Sequence, residues 1–99
     1  MSPENTGINA NVIKQIREIA EQYDLHQVIL FGSRARGDYK ERSDIDLAVC
    51  GGDVPSFALA VDEETDTLLK YDVVDLSHPI DAALLDNIQK DGMMLYEKI

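Results

Sequence analysis

The chain has no tryptophan, one cysteine, three prolines and only nine basic residues against nineteen acidic ones. A lone cysteine excludes an internal disulfide. Cys50, at the end of an apolar run with no histidine near it in sequence, reads as a small buried hydrophobe rather than a nucleophile. The shortage of Lys and Arg leaves a net charge of −10, which excludes a protein that grips nucleic acid by covering its phosphates. The four tyrosines and two phenylalanines fall mostly at core positions and offer no platform on which bases would stack. No direct nucleic-acid contact is expected. No apolar run approaches the roughly 20 residues of a membrane span, and the polar start, Met1 to Asn11, shows no leader pattern. A cytoplasmic protein with no membrane contact is the expectation. Neither a P-loop with its Lys-Ser/Thr end nor a Gly-x-Gly-x-x-Gly fingerprint occurs.

What is present is an ordinary globular balance, 44% apolar and 28% charged over 99 residues. That suits a single domain spanning 1–99, with the first eight residues (1–8) flexible. Val12, Ile13, Ile16, Ile19, Ala20 and Tyr23 recur at helical spacing behind Asn9 or Asn11 as a cap. Val28 to Phe31 is a short strand, Ser33 to Arg36 a turn or two of helix, and Asp44 to Cys50 a second strand. Asp53 and Pro55 open a helix expected to run through Phe57, Val61, Leu68 and Leu69, with Asp62, Glu63, Glu64 and Asp66 as a solvated face. Tyr71 to Leu76 is a third strand, Ile80 to Ile88 lies on a last helix ending at Gly92, and Met93 to Tyr96 forms an edge strand. The fold class is therefore α/β (α+β): a small mixed sheet of about four strands with helices packed on one face.

The stretch from Gly32 to Asp46 carries the chemistry. Gly32-Ser33 follows an apolar strand and opens a helix, where close backbone approach, free N–H groups and a hydroxyl suit a phosphate. Ten residues later Asp44 and Asp46 share one face of a strand, while Ile45, Leu47 and Val49 take the other. Two adjacent carboxylates repel unless a cation lies between them, and hard oxygens favour Mg2+. Three of the nine bases, Arg34, Arg36 and Arg42, fall inside this stretch and form a local positive patch on an acidic chain. Arg34 and Arg36 point in different directions on a helix; Arg36 is the expected phosphate ligand, and Arg34 is expected to be wet or to reach a partner. Tyr39, Lys40 and Arg42 fit either a plain surface loop or ligands, and His26 and His78 lie outside the motifs.

Gly32-Ser33, ten residues, then Asp44-Ile45-Asp46 is similar to the signature of the DNA polymerase β nucleotidyltransferase superfamily. The wider text Leu30 to Gly37 and Ser43 to Val49, continuing into Tyr71-Asp72-Val73-Val74-Asp75-Leu76 and Ile88 to Glu97, resembles its minimal (MNT, MntA-like antitoxin) branch. The resemblance implies a nucleotidyltransferase fold and a metal-dependent, ATP-using enzyme. Gly32, Ser33 and Arg36 would hold the nucleotide's phosphates, Asp44 and Asp46 would bind Mg2+, and a third acid, Asp72 or Asp75, would complete the metal site or act as base. Strand alternation puts those two on opposite faces, with Asp72 favoured. Larger relatives carry an acceptor-holding domain, so the acceptor is expected from a second polypeptide or a dimer interface, which leaves homo-oligomerisation open. The resemblance implies AMP transfer from ATP to a tyrosine of a helical HEPN-family toxin encoded nearby, within a two-gene toxin–antitoxin module. Transfer to a small hydroxylated molecule held by a helical subunit, and a non-catalytic antitoxin acting by binding, are the alternatives.

Overall fold

The computed structural model describes residues 3–99. The sequence order of elements is the one the periodicities indicate. After a short 3-10 helix (Pro3–Thr6) come α1 (Ala10–Gln22), β1 (Gln27–Phe31), α2 (Gly32–Arg36), β2 (Ile45–Cys50), α3 (Val54–Glu64), β3 (Tyr71–Asp75), α4 (Ala82–Asp91) and β4 (Met93–Glu97). The start of the chain, expected to be flexible, divides. Residues 1 and 2 lie outside those described, whereas Thr6 is fully buried and Ile8 belongs to the main core.

The four strands form one mixed sheet in the order β3-β2-β1-β4. β1 pairs antiparallel with both β2 and β4, and β2 pairs parallel with β3. A parallel pair needs a crossover, which α3 supplies; the antiparallel β1–β2 pair is joined by α2 and its loop. Side-chain alternation then divides the sheet into two faces. Val28 and Leu30 of β1 and Ile45, Leu47 and Val49 of β2 join Val12, Ile16, Phe57 and Val61 in the larger core, beneath α1 and α3. The side chain of Asn9 accepts from the backbone of Asn11 at the start of α1, and that of Asp53 accepts from Ser56 at the start of α3.

Helices on one face hold for α1 and α3 but not for α4. Ile88 of α4 packs with Phe31 and Ala48 on the opposite face, joined by the half-buried Ile29, Val74, Ile80 and Leu84. A short amphipathic pattern says that one stripe of a helix is buried and does not say under which face of a sheet. α3 also ends earlier than expected. Thr65 bonds back to the Val61 carbonyl at 2.6 Å and turns extended, so the chain leaves the helix at Glu64. Leu69 still packs on the core, but Leu68 stands in solvent. Gly92 does follow the last helix, though with φ −64 rather than in the left-handed region. Its missing side chain is needed because a Cβ would meet the Ile88 carbonyl.

Candidate active site

The end of β1 runs directly into α2 through Gly32, whose φ of +76° a side chain rarely tolerates. A Cβ at Gly32 would also run into Oδ2 of Asp46. Glycine is therefore required twice, for the turn and for the approach of backbone to carboxylate. α2 closes one turn later at Gly37, also at positive φ, where the N–H groups of Gly37 and Asp38 donate to the Ser33 carbonyl at 2.9 and 3.1 Å. Ser33 is left half-buried in the first turn, one residue after the Gly32 that closely approaches Asp46.

Strand register assembles those acids. Phe31 of β1 lies opposite Asp46 of β2, and Asp46 lies opposite Asp72 of β3. Asp46 and Asp72 thus occupy neighbouring strands at the same level, on the face that carries Ala48 and Val74. Asp44 precedes β2 by one residue and is exposed, at the same parity as Asp46. Asp75 lies at the other end of β3, opposite Val49. Its carboxylate accepts from the Ser77 N–H at 2.9 Å and pairs with His78 at 3.3 Å. Three residues of strand, roughly 10 Å, separate it from Asp72.

The electrostatics of the cluster centre on Asp46. Partial burial, then the neighbouring charges of Asp72 and Asp44, push its carboxyl up from 3.8 to about 6, against a smaller opposing pull from Arg36. The site thus holds more negative charge than its own bases neutralise. Among the described residues no three His, Cys, Asp or Glu side chains are gathered closely enough to cage an ion. A carboxylate pair with open positions is nonetheless the donor set that suits Mg2+, which is bound through one or two carboxylates and keeps waters and substrate phosphates as its other ligands.

The two arginines of α2 behave differently from each other. Arg36 is exposed, pairs with Asp38 at 3.4 Å and lies close enough to lower the Asp46 carboxyl. Arg34, expected to be wet or to face a partner, is instead buried at 2% exposure. Its Nε donates to the Ser43 carbonyl at 3.0 Å, one Nη to Thr6 at 2.9 Å and the other to Glu41 at 3.1 Å. The ring of Tyr39 lies 4.9 Å from the guanidinium. This fork ties α2, the N-terminal turn and the loop before Asp44 into one body, a use of five fixed donors that a lysine cannot copy. Sequence reasoning missed it because a two-residue spacing on a short helix does not say which residue faces inward. The run of polar residues from Asp38 to Ser43, whose carbonyls need partners, was the available signal.

The family model described as "Polymerase beta, Nucleotidyltransferase" matches residues 14–99. The chain belongs to this nucleotidyltransferase family. A Methanocaldococcus jannaschii protein named a "putative protein adenylyltransferase" is 54% identical to the nucleotidyltransferase over 50 residues, 50% of this chain and 48% of the relative. The chain thus spans about half the length of the curated relatives it matches. Among solved structures, a toxin–antitoxin complex with AMP-PNP is similar with a TM-score of 0.70 and 24% identity, over 87% of this chain and 73% of the other, which speaks for the fold. A variant of the toxin–antitoxin pair MntA–HpeT is similar with a TM-score of 0.64 and 26% identity, over 92% and 74%. No helix among the described residues is long and apolar enough to cross a membrane.

Proposed function

We propose that the nucleotidyltransferase moves AMP from ATP to a hydroxyl of a partner protein, a tyrosine of a helical HEPN-type toxin, and so serves as the antitoxin of a two-gene pair. The single observation that carries the reaction class is the in-register pair Asp46–Asp72 beside the positive-φ turn at Gly32. The similarity to a named protein adenylyltransferase and to a structure of the toxin–antitoxin pair MntA–HpeT supports the acceptor class.

In this reading Gly32, Ser33 and Arg36 hold the nucleotide's phosphates, through backbone N–H groups, a hydroxyl and a guanidinium. Asp44 and Asp46 would hold Mg2+, with Asp72 on the adjacent strand completing the site, and the ion would supply charge neutralisation at the reacting phosphate. Asp72 is the third acid, since it shares the level and face of Asp46, whereas Asp75 is engaged with Ser77 and His78 at the far end of the strand. The acceptor oxygen attacks the α-phosphorus, the bond to the pyrophosphate oxygen breaks, and the hydroxyl proton passes to the Asp72 carboxylate. An AMP group on a toxin surface adds negative charge, which would repel RNA from a ribonuclease site.

Incubating the purified chain with its toxin, ATP labelled in the α-phosphate and Mg2+ tests this. Label is expected on the toxin polypeptide. Asp46→Asn should lower the transfer rate on the order of a thousandfold, the several kcal/mol that metal-assisted charge neutralisation supplies. Asp72→Asn should fall nearly as far, and Asp75→Asn should stay within about threefold of the parent, since a 0.7 kcal/mol change is about that factor. ATP consumption with no label on protein would sink the protein-acceptor reading and favour a small hydroxylated molecule.

A further inference from the structure

Where β2 and β3 begin, an open cleft of about 520 Å³ is lined by Arg42, Asp44, Leu68, Leu69 and Lys70. Leu68 is as exposed as in an extended chain, at 103%, in the loop where α3 has ended and β3 has not begun. An apolar side chain held free beside a catalytic carboxylate gains nothing for the fold. Arg42 and Lys70 are two of only nine bases in a chain of net charge −10, and neither enters an ion pair among the described residues.

The place of the cleft matters as much as its lining. Gly32 and Ser33 lie at the end of β1, Asp46 on β2 and Asp72 on β3, so Asp46 stands between the phosphate turn and β3, and the cleft, which Asp44 itself lines, opens where β2 and β3 begin. In an in-line displacement the attacking and leaving oxygens are on opposite sides of the phosphorus. With pyrophosphate leaving on the Gly32–Ser33 side, the attacking hydroxyl must arrive from the β3 side.

We infer that this cleft is the acceptor subsite, and that it takes an acidic polypeptide segment in which the reacting hydroxyl lies beside an apolar side chain. The apolar group covers Leu68 and Leu69, a carboxylate on the segment pairs with Arg42 and Lys70, and the hydroxyl reaches the α-phosphorus next to Asp44 and Asp46. The inference rests on the transfer reaction proposed above. The local pair of bases gives the segment its direction against an otherwise repelling surface, so specificity comes from charge placement as well as apolar contact.

The test uses two synthetic peptide acceptors, Glu-Tyr-Leu-Glu and Lys-Tyr-Leu-Lys, with labelled ATP and Mg2+. The acidic peptide should be labelled with a KM lower by about tenfold, the equivalent of one well-placed contact. Leu68→Asp and Lys70→Glu should each raise that KM by about tenfold, with kcat and the Kd for ATP unchanged, and the Arg42→Glu, Lys70→Glu double variant should reverse the charge preference. Met94→Gln, an exposed position on β4 at the far sheet edge, should change nothing. An unaltered acceptor KM in the Leu68 and Lys70 variants would overturn the inference while leaving the transfer reaction standing. A raised Kd for ATP in those variants would overturn it too, by placing the nucleoside in the cleft. A parent that binds ATP and Mg2+ but labels neither peptide overturns the acceptor class, whereas a parent that binds neither ATP nor Mg2+ overturns the reaction itself.

Discussion

The β1–β2 side of the site and its β3 side lie one strand apart and are held in different ways. On the first, Gly32 is wedged against Asp46, α2 is closed by Gly37, and Arg34 binds three carbonyls that belong to the N-terminal turn and to the loop before Asp44. On the second, Asp72 is exposed, β3 is an edge strand, and the loop before it leaves Leu68 in water. The contrast is the one that the proposed transfer would demand. Groups that set the geometry of a reacting phosphate tolerate displacements well under 1 Å, so they are fixed by packing and hydrogen bonds. A surface that must admit a second molecule has to stay open, and the exposed edge of a sheet with a short loop meets that need.

Removing the clamp should produce the largest effect on this contrast. Arg34→Met leaves three carbonyls without their donor at a buried position. Each such loss costs about 1–3 kcal/mol before water re-enters, so a net destabilisation of about 3 kcal/mol is expected. For a domain of this size that lowers Tm by about 15 °C in a thermal melt. Arg34→Lys should recover only about a third of it, because one ammonium cannot reach carbonyls on residues 6, 41 and 43 together. If Arg34→Met melted like the parent but bound ATP poorly, Arg34 would be a phosphate ligand and the first side of the site would be as open as the second.

A smaller effect is expected at Gly32. Gly32→Ala places a side chain at φ +76°, which costs about 1–2 kcal/mol, and drives its methyl into the Asp46 carboxylate. The melt should fall by about 2 kcal/mol in all, while transfer falls on the order of a hundredfold, since a misplacement of about 1 Å is enough for that. A matching change at Leu68, Leu68→Ala, should leave the melt within about 0.5 kcal/mol, as surface substitutions do. Equal losses at the two positions would erase the distinction between a fixed side and an open one.

Much of this architecture can be read from residue patterns, and what cannot has identifiable causes. Strand and helix order follow from period and punctuation: Asn9 and Asp53 cap where they should, and Ile45, Leu47 and Val49 bury against one face as alternation requires. The level of Asp72 against Asp46 is different. It depends on the register of a parallel pair whose strands are separated by a whole helix, and no local pattern encodes it. The face chosen by α4 and the inward turn of Arg34 share that character. Each is decided by a contact remote in sequence, such as Ile88 on Phe31 or Arg34 on Thr6, which local propensity does not report.

A pH dependence is also expected at Asp46, the residue between the two sides. Its carboxyl is raised to about 6 by partial burial and by Asp72 and Asp44, whereas the unfolded chain titrates it at 3.8. The folded state therefore binds this proton more tightly than the unfolded one. The stability contributed is fully present below pH 3.8 and is lost as pH rises through about 6. The full shift corresponds to about 3 kcal/mol, which solvent access to the half-buried group reduces to about 1–2 kcal/mol. Asp46→Asn removes the penalty, so the variant should be about 1–2 kcal/mol more stable than the parent at pH 7.5 and equal to it at pH 4 in urea unfolding. Asp24 and Asp53, whose carboxyls are held below the usual range by Lys98 and by Ser56, act in the opposite direction. They are common to both proteins and cancel in the difference. Adding Mg2+ at pH 7.5 should stabilise the parent more than Asp46→Asn, because the variant lacks one of the three carboxylates that would hold the ion and its share of the repulsion. A variant no more stable at pH 7.5 than at pH 4, relative to the parent, would mean that Asp46 is as open to water as Asp72, and that the fixed side of the site ends at Gly32.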